Sequence, residues 1–217
     1  MDEPRHGAPS TTTNERRGAP SRIPTVDLAA PVCVTLTVRD PAVAAESLER
    51  LGAPRVVSIA DEPSFGLGTD RLVIRRGRGS DPLGITELHP PALDDGAMDG
   101  PRVVAFGLAT VDQARFVRDL DLGEVAAGPD EELLGAWSWR PVASSRIVVL
   151  EPSVDGRLAA ALARGGEGPL ILYLASGTGL GTGGRPTALG RRGTLLELGP
   201  GPLAPNVIVV PVDAGDG

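Results

Sequence analysis

The sequence contains no lysine: its 21 basic residues are all arginine, set against 28 acids for a formal charge of −7. A chain of that sign repels phosphate backbones and anionic lipid, so neither nucleic acid nor a membrane surface is an expected partner. Cys33 is the sole cysteine, which excludes an internal disulfide. Histidine is nearly missing too: His6 and His89 offer little to a Ser-His-Asp triad and nothing with zinc-finger spacing. No apolar run approaches the ~18 to 20 residues that a bilayer span needs, and the first 25 residues lack a signal-peptide core. A cytoplasmic location is the expectation. Aromatic residues make up 3% of the chain, so the core must be assembled from Val, Leu, Ile and Ala.

What is there is an abundance of punctuation. Twenty-nine glycines and 21 prolines among 217 residues predict short strands and many turns, while 41% apolar content suffices for one substantial core or two small ones. Residues 1–25 are polar and aperiodic and read as a disordered tail. Val32–Val38 then alternates, with Val34, Leu36 and Val38 on one face and Cys33, Thr35 and Thr37 on the other. Asp40 caps a helix that begins with Pro41 and carries Ala44, Leu48 and Leu51 on one stripe. Strands are predicted at 55–60, 70–75 and 84–88. The order recurs with a strand at 103–109, a helix from a Thr110–Gln113 capping box to about Asp121, and strands near 123–127, 134–139 and 145–150. Thr110 follows Asp40 by 70 residues, a spacing that argues for duplicated modules. A third unit, with strands near 170–175, 193–198 and 206–212, has no room for the helix. Its Gly179–Gly184 segment fits G-x-G-x-x-G but lacks the helix that a dinucleotide site requires. The predicted fold class is α+β, with curved mixed sheets. Its parts are a first βαβββ module at 26–91, an acidic linker at 92–100, a second module at 101–153, and a joint helix with an abbreviated third module at 154–217.

The joint from Leu150 to Ser176 has Leu-Glu-Pro, a small-residue helix capped by Ser153 or Asp155, then Arg-Gly-Gly-Glu-Gly before an apolar strand. Together with the helix Val111–Gly123 and the strand exit Val38-Arg39-Asp40, it resembles the vicinal oxygen chelate superfamily: glyoxalases, methylmalonyl-CoA epimerases and bleomycin-resistance proteins. The resemblance implies glyoxalase-like modules paired around a groove, with a divalent metal held by a His, Gln or Glu from the first strand of a module and a Glu from its fourth. Carried over, the first-strand positions are Cys33 and Val103, with Leu170 or Ile171 in the third unit. The fourth-strand positions are Glu87 and Val148, and the third unit offers Glu197. Valine cannot coordinate a cation, so the ligand set is incomplete and no cofactor is expected. A divalent metal is the alternative: Glu87 and His89 share a strand face, and the resemblance would bring Cys33 beside them, with Glu197 a further donor. The plainer reading makes Cys33 a small buried hydrophobe and His89 a solvated strand end.

Trp137 and Trp139 fall on one face of a strand, and the groove face aligned with them, Val103, Ala105 and Gly107, is small and apolar. They line a slot for a flat ligand or belong to the core. The resulting expectation is a protein that binds an apolar or aromatic small molecule between modules at Thr35, Thr37, Glu87, Trp137 and Trp139. The alternatives are a metal-dependent isomerase, lyase or dioxygenase, and a module acting only in protein association. A homodimer is compatible with either.

Overall fold

The computed structural model describes residues 28, 30–59, 61–77, 83–88, 100–178, 183–199 and 206–212. The expected tail, most of the acidic linker, His6, His89 and Gly179–Thr182 lie outside the described residues.

The first unit runs β1 (Val32–Val38), α1 (Pro41–Arg50), β2 (Arg55–Ile59), β3 (Glu62–Leu67) and β4 (Asp70–Arg76). The Asp40 carboxylate accepts from the Ala42 N–H at 3.1 Å, and Pro41 occupies the first turn, where no N–H is needed. A fifth strand, β5 (Leu83–Glu87), joins the far side of β1. The resulting sheet has the order β2-β3-β4-β1-β5, with β1 and β4 parallel and the other pairs antiparallel. Pro63 and Gly66 hid β3 from the alternation pattern. The fourth strand of the unit is therefore β4, and the segment expected in that role, around Glu87, is an added edge strand.

The second unit comprises β6 (Arg102–Ala109), α2 (Gln113–Asp119), β7 (Val125–Ala127), β8 (Ala136–Pro141) and β9 (Ile147–Pro152). A joint helix, α3 (Arg157–Gly165), leads to β10 (Gly168–Ser176), β11 (Arg185–Pro186), β12 (Arg192–Leu195) and β13 (Asn206–Pro211). These strands form one sheet in the order β11-β12-β13-β10-β6-β9-β8-β7, its halves meeting where β6 and β10 pair antiparallel. In each half the outer strand beside the centre, β9 or β13, runs parallel to its central partner.

Two helix starts differ from expectation. The cap of α2 is Asp112, which accepts from the Arg115 N–H at 2.9 Å, whereas Thr110 forms a local turn in front of it, accepting from the Asp112 N–H. Gly156 starts α3 without a side-chain cap, because the Leu134 carbonyl takes the Leu158 N–H from another part of the chain. Leu158 and Leu162 are buried as the spacing predicts, and Gly166, at φ 76°, ends the helix in the left-handed region.

The main core lies between the sheets. Val34, Leu36, Phe65, Leu72 and Ile74 of the first sheet, with Leu48 of α1, pack against Phe106, Leu172, Leu174 and Val207 of the second. In the second unit α2 covers its own part of this sheet side through Phe116 and Val117 on Leu108 and Val149. The third unit has no such helix among the described residues, and the first unit fills its place. The Ser47 hydroxyl of α1 donates to the Glu197 carbonyl at 2.7 Å at this contact.

Candidate functional site

Ala105 and Gly107 share a sheet face with Ile171 and Tyr173, as their pairing requires. Val103 does not: the register shifts between Tyr173 and Leu174, which turns Val103 into the core between the sheets. The Ala105 face is not an open slot. Leu134, Leu158, Leu162, Ala188 and Ile208 pack onto it, and a Cβ at Gly107 would stand 2.7 Å from the Ile171 Cβ. Within this packing the fully buried Glu131 carboxylate accepts from the Tyr173 hydroxyl at 2.8 Å, the Ala188 N–H at 3.0 Å and the Leu133 N–H at 3.2 Å. Burial pushes the Glu131 carboxyl up despite these bonds, and burial with the neighbouring Glu131 charge pushes the Tyr173 phenol far up. Glu131 thereby ties two loops to β10 and closes the groove of the second sheet.

The tryptophans lie on the opposite side. Trp139 pairs with Val149 and joins the α2 cluster, while Trp137 pairs with Glu151 on the same face and is 48% exposed. The groove-facing position expected for them does not hold. β8 turns Ala136 and Ser138 toward the groove instead, and the Ser138 hydroxyl donates to the Pro129 carbonyl at 2.7 Å.

The outer face of the first sheet has a different character. Cys33, Thr35 and Thr37 are half-buried in a row along β1, and the alternation turns their neighbours Val34 and Leu36 into the core. In register with that row stand Arg71, Val73 and Arg75 of β4 on one side and Thr86 and Gly84 of β5 on the other. Ser64 and Gly66 of β3 continue the surface beyond β4. Thr86 donates to the Cys33 carbonyl at 3.4 Å. At one end Arg75 grips Glu62 in a two-bond fork, 2.7 Å and 3.2 Å. Arg71 is 7% exposed, and its guanidinium reaches the Val57 carbonyl at 3.4 Å. Burial raises the Cys33 thiol above its ordinary value, with Arg71, the Thr86 hydrogen bond and Arg75 pulling the other way.

Of the candidate metal donors, Cys33, Glu87 and Glu197 are not brought together here. Thr86 is the residue opposite Cys33, and Glu87, one further on, is opposite Val32, so alternation sends its side chain to the other face. Glu197 is exposed and follows the end of β12, on the α1 side of the molecule. Among the described residues no three His, Cys, Asp or Glu side chains form a group able to hold a metal ion. Arg71 was not among the residues expected at the site. Its signal was available in the Asp70–Arg75 alternation, where Leu72 and Ile74 face inward and Arg71, Val73 and Arg75 face out. Recognising β3 would have aligned β4, and with it Arg71, beside Cys33.

No family model and no curated protein matches the sequence. Among solved structures, a variant of Streptomyces coelicolor methylmalonyl-CoA epimerase in complex with 2-nitronate-propionyl-CoA is similar over 52% of this chain and 98% of its own, at 20% identity and a TM-score of 0.40. A hypothetical protein of Bacillus halodurans covers 54% of this chain and 98% of its own, at 15% identity and a TM-score of 0.38. A mutant of Streptomyces coelicolor 4-hydroxymandelate synthase covers 67% and 48%, at 14% identity and a TM-score of 0.29. By its own strand order, two βαβββ units and a third with no helix among the described residues, the chain has an α+β, glyoxalase-like fold.

Proposed function

We propose that the protein binds a small molecule on the outer face of its first sheet, without a complete metal site and without need of a cofactor. The observation that carries this reading is the contrast between two surfaces. The groove of the second sheet is packed by the chain's own side chains, whereas the Cys33, Thr35 and Thr37 row is half-exposed and flanked by Arg71, Arg75 and Thr86. A surface with hydroxyls, a thiol and guanidinium groups around buried Val73 offers several directional contacts and one apolar floor. Thr35 and Thr37 remain in the proposed site. Trp137 and Trp139 leave it, and Glu87 belongs to the opposite face of β5. The protein works in the cytoplasm in this reading, with no nucleic-acid partner, as a monomer or homodimer.

Amide chemical-shift mapping with pooled metabolites tests the assignment. Shifts that cluster on Thr35, Thr37, Val73 and Thr86, with unchanged tryptophan fluorescence, are the expected result. Shifts clustered on β8 with quenching of Trp137 would restore the aromatic slot and defeat this reading. The alternative of a metal-dependent isomerase, lyase or dioxygenase has a separate test. About one zinc, nickel or iron per chain by elemental analysis, lost on Glu87→Ala, would favour it.

A further inference from the structure

We infer that the group recognised on this face is a compact oxyanion, a carboxylate or a phosphate, and that Arg71 is the residue that binds it; the inference rests on the first sheet's outer face being the binding face. Arg71 is more than nine-tenths buried, and among the described residues its Nε has no hydrogen-bond partner. The one hydrogen bond described for its guanidinium is to a neutral backbone carbonyl, that of Val57. Other arginines of this chain meet carboxylates: Arg75 with Glu62, Arg115 with Glu167, and Arg146, also deeply placed, with Asp70 at 2.6 Å. A buried guanidinium without an anion is costly, and this sequence has acids to spare, so a carboxylate placed near Arg71 was within easy reach. The residues in register around it supply neutral groups instead. Cys33 stands beside it on β1, Thr86 beyond Cys33 on β5, and Gly66, with no side chain, across from it on β3. Glu62, on the same face, is held by the fork from Arg75 and is not free to neutralise Arg71. A planar guanidinium whose Nε–H makes no hydrogen bond among the described residues, in register with the Cys33 thiol on one side and Gly66 on the other, matches a carboxylate or phosphate oxygen pair.

Cys33 is the only cysteine and lies in register with Arg71, so it reports on this spot without ambiguity. The full chain is alkylated at one pH with iodoacetate, an anion, and with iodoacetamide, its neutral counterpart, and each rate is divided by that of free cysteine. The thiolate fraction cancels in the ratio of the two. The expected result is an iodoacetate preference of about tenfold or more at low salt, which collapses in Arg71→Gln. Phosphate and acetate should suppress it in the wild type, and the more potent competitor identifies the class of anion. A ratio equal to that of free cysteine, or one that Arg71→Gln leaves in place, overturns the anion assignment while leaving the face open to a neutral ligand. Failure of both reagents to reach Cys33 in the folded protein removes the binding face as well. Should Arg71→Gln fail to fold, the wild-type competition decides: suppression by phosphate or acetate but not by glycerol supports the inference, and equal effects refute it.

Discussion

At the scale of single residues, burial rather than residue type decides what each polar group does. Glu131 and Glu87 are the same amino acid. One is enclosed and holds three donors, the other is exposed at the end of a strand, and nothing in their local sequence separates them. Because burial raises the Glu131 carboxyl from 4.5, the folded protein keeps that proton to higher pH than the unfolded chain. The stabilisation this uptake gives is complete below the unfolded value and is lost as pH rises through the raised one. Urea midpoints measured from pH 4 to 7 should therefore fall with pH in the wild type more steeply than in Glu131→Gln. Parallel profiles would show that the carboxyl titrates at the same pH in the folded and unfolded states. Gly107 gives a second test, since its missing Cβ is what lets Ile171 and Leu150 close over β6. Gly107→Ala should cost about 1–3 kcal/mol by overpacking, read as a lower melting temperature. A neutral substitution would mean that the groove has room to spare and would reopen it as a binding surface. Legibility at this scale was uneven: the alternation in Val32–Val38 placed Thr35 and Thr37 correctly, but alternation alone could not say which side of the second sheet the tryptophans face. The packing of α2 determined that.

At the scale of elements, short segments are held by distant parts of the chain, which is why their ends were harder to read than their existence. α2 has only seven residues, below the length at which a helix sustains itself in water. Its start is fastened from three places. Asp112 caps it, the Glu151 carboxylate takes the Gln113 N–H at 2.9 Å, and Glu167 accepts from the Thr110 hydroxyl at 2.6 Å and the Val111 N–H at 2.9 Å. Burial works against the Glu167 charge, but the hydrogen bonds from Arg115, Thr110 and Val111 outweigh it and hold this carboxyl below its ordinary value. That contribution is present above the unfolded value and is lost as pH falls through the lowered one. Glu167→Gln should thus destabilise the protein at pH 7 by about 1–2 kcal/mol, with the deficit shrinking toward pH 3. A deficit independent of pH would assign the effect to packing instead. The sequence made Thr110 the cap because Thr-x-x-Gln fits a capping box; Glu167, 57 residues away, claims its hydroxyl. The same remoteness hid β3, whose Pro63 and Gly66 look like loop residues until β2 and β4 are placed on either side.

At the scale of the whole molecule, the two sheets are joined by apolar packing with a charged contact set into it. Arg146, just before β9, reaches Asp70 at the start of β4 at 2.6 Å and the Leu28 carbonyl at 2.8 Å, and its guanidinium lies 5.3 Å from the centre of the Phe106 ring. Asp70 in turn accepts from the Val32 N–H at 2.9 Å, so one carboxylate anchors both the first strand of the first unit and the second unit's arginine. Neither partner was singled out in the sequence, where the two lie 76 residues apart with no pattern linking them. Both side chains are largely buried, at 17% and 3% exposure, so removing one charge leaves the other without compensation. Arg146→Met should cost about 3–5 kcal/mol in urea unfolding. The double variant Arg146→Met with Asp70→Leu should lose well under the sum of the two single losses, since it leaves no orphaned charge. Additive losses of under about 1 kcal/mol each would show that the Leu36, Leu72, Phe106 and Leu172 packing holds the sheets together without the ion pair. Coupling of the expected size would make the pair the element that fixes how the first unit seats on the second. It would also explain how the third unit is covered without a helix among the described residues: the first unit, locked in this position, covers Leu172 and Leu174.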